Sequence, residues 1–241
     1  MTLPEPRSPA IHLRDLRFGW TREAPLLDIP ELRVARGERL FLQGPSGCGK
    51  STLLGLLGGV LSPQAGTISV LGTDITALGS GARDRFRADH IGFIFQQFNL
   101  LPFLDVIDNV LLPCRFSPRR AERAKAAAAS QLAEAHLLLL ALGLDPTAVR
   151  GKSVRELSVG QQQRVAAARA LIGAPELLIV DEPTSALDED ARTSFLALLI
   201  AQCYRYQSTV VFVSHDSSLA TLFDRKLQLS QITRSSLALV A

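Results

Sequence analysis

Leu40-Phe41-Leu42-Gln43-Gly44-Pro45-Ser46-Gly47-Cys48-Gly49-Lys50-Ser51-Thr52-Leu53-Leu54 runs from a short apolar stretch through a glycine-rich turn into helical spacing. Gly44 to Ser51 fits G-x-x-x-x-G-K-[ST], and its context is the one the motif's mechanism requires. A strand, LFLQ, enters the turn, and a helix through STLLGLLGGV leaves it, ended by the glycines at 58 and 59. In such a loop, backbone N–H groups converge on the α- and β-phosphates of a nucleotide, and the helix N-terminus adds its positive dipole end. Lys50 reaches the β- and γ-phosphates, and Ser51 offers its hydroxyl to Mg²⁺. The expected phosphate-binding set is therefore Gly44, Pro45, Ser46, Gly47, Cys48, Gly49, Lys50, Ser51 and Thr52. Cys48 admits a redox reading, but a small side chain pointing off the loop accounts for it equally well.

A phosphate loop needs a carboxylate at the end of a neighbouring strand, and Leu177-Leu178-Ile179-Val180-Asp181-Glu182 supplies two. Asp181 suits a direct or water-mediated Mg²⁺ contact. Glu182, one residue further on, suits orienting or deprotonating an attacking water as general base. The bland alternative is a solvated strand end.

Outward from these two motifs, IHLRDLRF from Ile11 alternates as a half-buried strand, and an antiparallel β piece is expected ahead of the phosphate loop. TISVLG and IGFIF are further strands. Pro118 to about Gly143 is Ala-rich and helical, a candidate inserted lobe. ERAKAAAASQLAEAHLLLLALG would also suit a membrane-surface helix, but its polar face is poor in Lys and Arg, and a packed lobe helix is the expectation. Past Ser158 come a helix to about Ile172, the strand LLIVDE, a helix, the strand TVVFVS and a short helix near Ser217. Strands alternating with helices imply a mostly parallel sheet. Residues 1 to about 10, with three prolines, are expected to be a loose lead-in.

Composition narrows the class. The 241 residues fit one α/β domain with an inserted lobe, and 47% hydrophobic with 20% charged excludes a disordered or collagen-like chain. A net charge of +3 lacks the clustered excess of a dedicated nucleic-acid binder, so no nucleic-acid partner is expected. Cys48, Cys114 and Cys203 are odd in number and widely spaced, against a disulfide framework or a CxxC metal site. The first residues carry no apolar signal region. The run Leu137 to Leu144 is far short of the roughly 20 residues that span a bilayer, so neither an export signal nor a membrane span is expected.

The phosphate loop, LSVGQQQR at 157 to 164, LLIVDEP at 177 to 183, SALD at 185 to 188 and VSHD at 213 to 216, in that order, resemble the nucleotide-binding subunit of an ABC transporter. The resemblance covers about residues 11 to 230. It implies an α/β fold: a RecA-like P-loop NTPase core with an antiparallel β subdomain and an inserted α-helical subdomain. The expected boundaries are 11–95 and 173–230 for the core and 96–172 for the helical subdomain. It also implies ATP and Mg²⁺, with two ATPase chains, expected to be identical, closing head to tail over ATP. Each ATP would then lie between the phosphate loop of one chain and Ser158, Val159, Gly160 and Gln161 of the other.

By the same resemblance Gln96 is the Q-loop residue that contacts Mg²⁺ or water, its alternative being a polar loop residue. His215 is the switch histidine at the γ-phosphate. Trp20 stacks on adenine, a task needing only an aromatic face, while Phe18 points inward as part of its strand. Val159 departs from the family pattern, which has glycine there, and the expectation is reduced or retained activity rather than none. IGFIFQQFNLLPFLDVIDNVLLP resembles the ATPases of lipoprotein release, macrolide export and cell division. That implies a membrane permease partner, a peripheral position on the cytoplasmic face, and an apolar segment, Phe98, Leu100, Leu101, Phe103 and Leu104, facing the permease or else forming lobe core. The alternatives are an importer ATPase and a soluble ABC protein outside transport.

Overall fold

The computed structural model describes residues 9–21, 24–183 and 188–234. Ser185, Ala186 and Leu187 of the SALD segment, and most of the expected lead-in, lie outside them. In chain order the elements begin with β1 (Ile11–Phe18), β2 (Leu27–Val34), β3 (Arg39–Gln43), α1 (Lys50–Leu57), β4 (Ala65–Val70), β5 (Thr73–Asp74) and α2 (Ser80–His90). Then come β6 (Ile91–Ile94), α3 (Val106–Phe116), α4 (Pro118–Ala128), α5 (Gln131–Ala141) and α6 (Val159–Leu171). The chain continues through β7 (Leu177–Asp181), α7 (Glu189–Tyr206), β8 (Thr209–Val213), β9 (Arg225–Gln228) and α8 (Leu229–Ile232). It divides into two compact units, one of residues 1–84 and 209–241, the other of residues 85–208.

The first unit holds an antiparallel sheet in the order β2-β1-β4-β5. β1 buries Ile11, Leu13, Leu16 and Phe18, a pattern whose period of two slips by one residue after Leu13. A bulge absorbs the slip: the pairing with β4 shifts between Arg14 and Arg17, and Asp15 takes φ +46°. Gly66 makes the bulge possible, since a Cβ there would lie 2.3 Å from the Asp15 carbonyl oxygen. In the same unit β3 lies between β8 and β9, parallel to both, with Leu40 opposite Val211 and Arg225. Phe41, Phe212 and Phe223 pack ring against ring around it. Arg39 anchors the entry of β3 through its N–H to Asp224 Oδ2 (2.8 Å) and its guanidinium to both oxygens of that carboxylate. β3 is thus fixed along its length, and its last residue delivers the chain to Gly44.

In the second unit β6 and β7 run parallel, Ile94 opposite Val180. The helical section expected from Pro118 to Gly143 is two helices. Ala129 turns left-handed at φ +64°, and the Ser130 hydroxyl accepts the Ala133 N–H at 3.0 Å to begin α5. Ser117 and Pro118 start α4 in the same manner, the hydroxyl of Ser117 accepting the Arg120 N–H. Arg120 is buried and donates to the carbonyls of Ile172 (2.8 Å) and Ala170 (2.7 Å), so it satisfies the open C-terminal end of α6. Among the described residues no helix is long and apolar enough to cross a membrane.

Candidate nucleotide site

The loop from Gly44 to Gly49 is shaped by its glycines. Gly49 caps α1 at φ +100°, a backbone that a side chain rarely adopts, and a Cβ there would stand 2.9 Å from Leu27 Cδ2. Gly44 has no such φ, but its Cβ would lie 2.7 Å from Cys48 Sγ. Gly49 supplies no capping side chain, so the N–H groups of the first turn of α1, among them Ser51 and Thr52, point out of the helix without an intrahelical acceptor. That is the geometry of an anion site. Lys50 is 7% exposed, and its ammonium curls over the loop to the carbonyls of Gly44 (2.9 Å) and Pro45 (2.8 Å). Two of its three N–H bonds are engaged, and the charge is held where phosphates would meet the backbone donors.

Two parallel strands of the same unit bring further candidates to this end. Gln43, the last residue of β3, donates from Nε2 to the carbonyl of His215 at 3.2 Å, and Ser214 N–H reaches back to Leu42 O. The Ser214 hydroxyl accepts the Asp216 N–H (3.1 Å), and Asp216 caps the following turn by accepting from Ser218 N–H (3.0 Å). The backbone under His215 is therefore pinned on both sides while its side chain is exposed. Gln43 has a place in this arrangement that motif reading passed over; its position immediately ahead of Gly44 was the available signal. Trp20 is 70% exposed and stands edge-on to Phe18, ring centroids 5.2 Å apart, with Phe18 buried beneath it.

In the second unit the carboxyl ends of β6 and β7 carry Gln96, Asp181 and Glu182. Open parallel sheets bind ligands beyond this edge. Gln96 is exposed, in a turn that ends with Phe98 and Asn99 both left-handed at φ +58° and +49°. Arg169 of α6 holds that turn, donating to the carbonyls of Asn99 (2.7 Å) and Phe98 (2.5 Å). Burial of Arg169 lowers its pKa to about 10, which leaves it a cation at neutral pH. Beyond the turn, buried Asn109 of α3 accepts the Leu101 N–H (2.8 Å) and donates to the carbonyls of Leu101 (3.0 Å) and Asp105 (2.9 Å). Of the apolar segment this braces, Phe98 is buried, Leu100, Leu101 and Leu104 are half-buried, and Phe103 is 78% exposed.

The signature segment begins α6 with a capping box: Ser158 Oγ accepts the Gln161 N–H (3.3 Å) and Gln161 Oε1 accepts the Ser158 N–H (3.0 Å). Ser158 keeps its own O–H to donate, and Gly160 N–H lies in the open first turn. Val159 is the first helical residue, 46% exposed. No positive φ is required of it, so the backbone itself accepts a valine where glycine was expected.

A strand, a glycine loop, an uncapped helix start and a buried lysine define a P-loop nucleotide-binding protein. The chain belongs to the ABC transporter family, whose model matches residues 27–185. The ABC transporter ATP-binding protein YtrE of Bacillus subtilis is 39% identical over 212 residues, 88% of this chain and 87% of YtrE. The lipoprotein-releasing system ATP-binding protein LolD of Chromohalobacter salexigens is 38% identical over 215 residues, 87% of this chain and 86% of LolD. The dimeric structure of MJ0796, a bacterial ABC transporter cassette, matches with a TM-score of 0.80 at 33% identity, covering 90% of this chain and 93% of MJ0796. The same cassette in a post-hydrolysis state bound to ADP and Pi matches with a TM-score of 0.75 at 32% identity. The fold is that of an ABC ATPase, a RecA-like P-loop core with an antiparallel sheet and a helical region, and the protein is an ATP-binding enzyme that hydrolyses ATP.

Proposed function

We propose that the chain is the ATPase subunit of a transporter of the lipoprotein-release or macrolide-export type. It works as a head-to-tail pair of identical chains, peripheral on the cytoplasmic face of the membrane, against a permease. The observation that carries the ATPase assignment is the uncapped start of α1 beneath a buried Lys50 whose ammonium is already bonded across the loop. The subclass is supported by the likeness to LolD and by the sequence from Ile91 to Pro113. Exposed Phe103, on a turn braced by Asn109, gives the permease an apolar contact.

In this reading Gly44 to Thr52 take the phosphates and Trp20 stacks on the adenine. Ser51, Gln96 and Asp181 are oxygen donors of the kind that suits Mg²⁺, a hard cation that binds through one or two carboxylates together with substrate phosphates and water. Among the described residues no cluster of three or more His, Cys, Asp or Glu offers an all-protein metal cage, in keeping with that mode. When bound, Mg²⁺ neutralises charge on the phosphates. Glu182 takes a proton from the water that attacks the γ-phosphorus as the bond from that phosphorus to the β–γ bridging oxygen breaks and ADP leaves, His215 hydrogen-bonds the γ-phosphate, and Ser158 to Gln161 present the start of α6 to the ATP of the partner chain.

Turnover, ATP binding and co-purification test the proposal together. Lys50→Ala is expected to bind ATP poorly. Glu182→Gln is expected to bind MgATP with turnover down roughly 100-fold or more. Tagged Glu182→Gln, incubated with MgATP and detergent-solubilised membranes, should retain a permease of few spans with a large extracytoplasmic domain. A many-span permease with a solute-binding protein would overturn the subclass in favour of an importer; unaltered turnover in Glu182→Gln would overturn the role of that carboxylate.

A further inference from the structure

We infer that Gln163 is a positioning residue for the reaction: from inside α6 it holds the backbone next to Glu182, and so ties the signature helix to the general base of its own chain. The inference rests on the reading of Glu182 as that base. Gln163 lies five residues into α6, fully buried, and its Nε2 donates to the carbonyl of Pro183 at 3.0 Å. Pro183 is itself buried. Proline has no N–H, so this carbonyl is its one backbone hydrogen-bonding group, and a buried carbonyl requires a partner.

The residue that this bond steadies is strained. Glu182 has φ +42°, uncommon for any side chain larger than glycine. It also precedes a proline, whose ring pushes the preceding residue toward extended backbone. Such a conformation persists only where the surroundings hold it in place. Gln163 is one of those supports. Its other atom, Oε1, is buried with no hydrogen-bond partner among the described residues. An apolar side chain of similar size would avoid the cost of that acceptor, so the amide is explained by its donor, and the donor acts on the turn that aims Glu182. Because α6 starts at Ser158, a displacement of the signature end is carried by the same helix to the Pro183 carbonyl.

The test is a double-mutant cycle. Gln163→Met removes the donor and Gln163→Glu replaces it with an acceptor of nearly the same volume; each is made in the parent chain and in Glu182→Gln. With kcat, KM for ATP and the thermal midpoint measured, kcat should fall about 10- to 100-fold, since misplacement of a reacting group by about an ångström costs that much. KM should stay within about 2-fold. In the Glu182→Gln background the same substitutions should change the residual rate by less than about 2-fold, because their effect passes through a carboxylate already removed. Parental kcat in both Gln163 variants overturns the inference. So does a loss that recurs in full in the Glu182→Gln background, or failure of both variants to fold, either of which assigns Gln163 to stability alone. Parental turnover in Glu182→Gln by itself instead overturns the assignment of the base.

Discussion

Glu176, just ahead of β7, gathers three basic side chains: Arg119 at 2.7 Å, Arg123 at 3.0 Å and His90 Nδ1 at 3.3 Å. Burial pushes its pKa up, but the hydrogen bonds with His90 and Arg119 and the charge of Arg123 outweigh it and bring the carboxyl from 4.5 to about 2. Because the folded value lies below the unfolded one, the carboxylate stabilises the native state above about 4.5, and that stabilisation is lost as pH falls toward about 2. Glu176→Gln is expected to cost about 2 kcal/mol at neutral pH, and the gap from the parent should narrow from about pH 5 and close as pH falls toward about 2. Denaturant melts across that range check it; a gap independent of pH would show that the ion cluster contributes nothing.

Among the elements, α6 concentrates the connections of its unit. It begins with the Ser158–Gln161 box, contacts the Pro183 carbonyl through Gln163, holds the turn after β6 through Arg169, and has its C-terminal carbonyls satisfied by Arg120 of α4. Its first residue is Val159, at the position where the resemblance implies glycine. Since Val159 is helical and half in solvent, Val159→Gly should shift unfolding free energy by less than about 1 kcal/mol. Turnover should hold or rise as the β-branched side chain is withdrawn from the face that the proposed pairing turns toward ATP. A tenfold fall in ATPase rate with the fold intact would show instead that the valine contributes to the site.

The proposed pairing of two chains has its own test, because in that reading a head-to-tail pair completes a site only when ATP bridges it. ATP shifts the equilibrium only through its higher affinity for the closed pair. In light scattering with MgATP, Glu182→Gln is expected to pass from monomer to dimer as concentration rises, while Lys50→Ala stays monomeric throughout. A strictly monomeric Glu182→Gln with parental turnover would refute the paired arrangement.

From the amino-acid order alone came the motifs and the strand or helix carrying each, because phosphate loop, carboxylate pair and capping residues are statements about neighbours a few positions apart. β1 was legible from its period of two, β3, β7 and β8 from short continuous apolar runs, and α1 and α6 from helical spacing. β2 escaped because Pro30 interrupts it, a residue that the edge of a sheet tolerates. β9 escaped because its residues are alternately half-buried and exposed and include none that is buried. Pro118 to Gly143 looked continuous since nothing local penalises alanine, yet Ser130 caps a new helix and the chain turns at Ala129. Tertiary structure alone decided the bonds from Arg169 to Asn99 across 70 residues, from Gln163 to Pro183 across 20 and from Gln43 to His215 across 172. A side-chain donor finds a distant carbonyl only after packing has buried both, and burial then makes the bond obligatory.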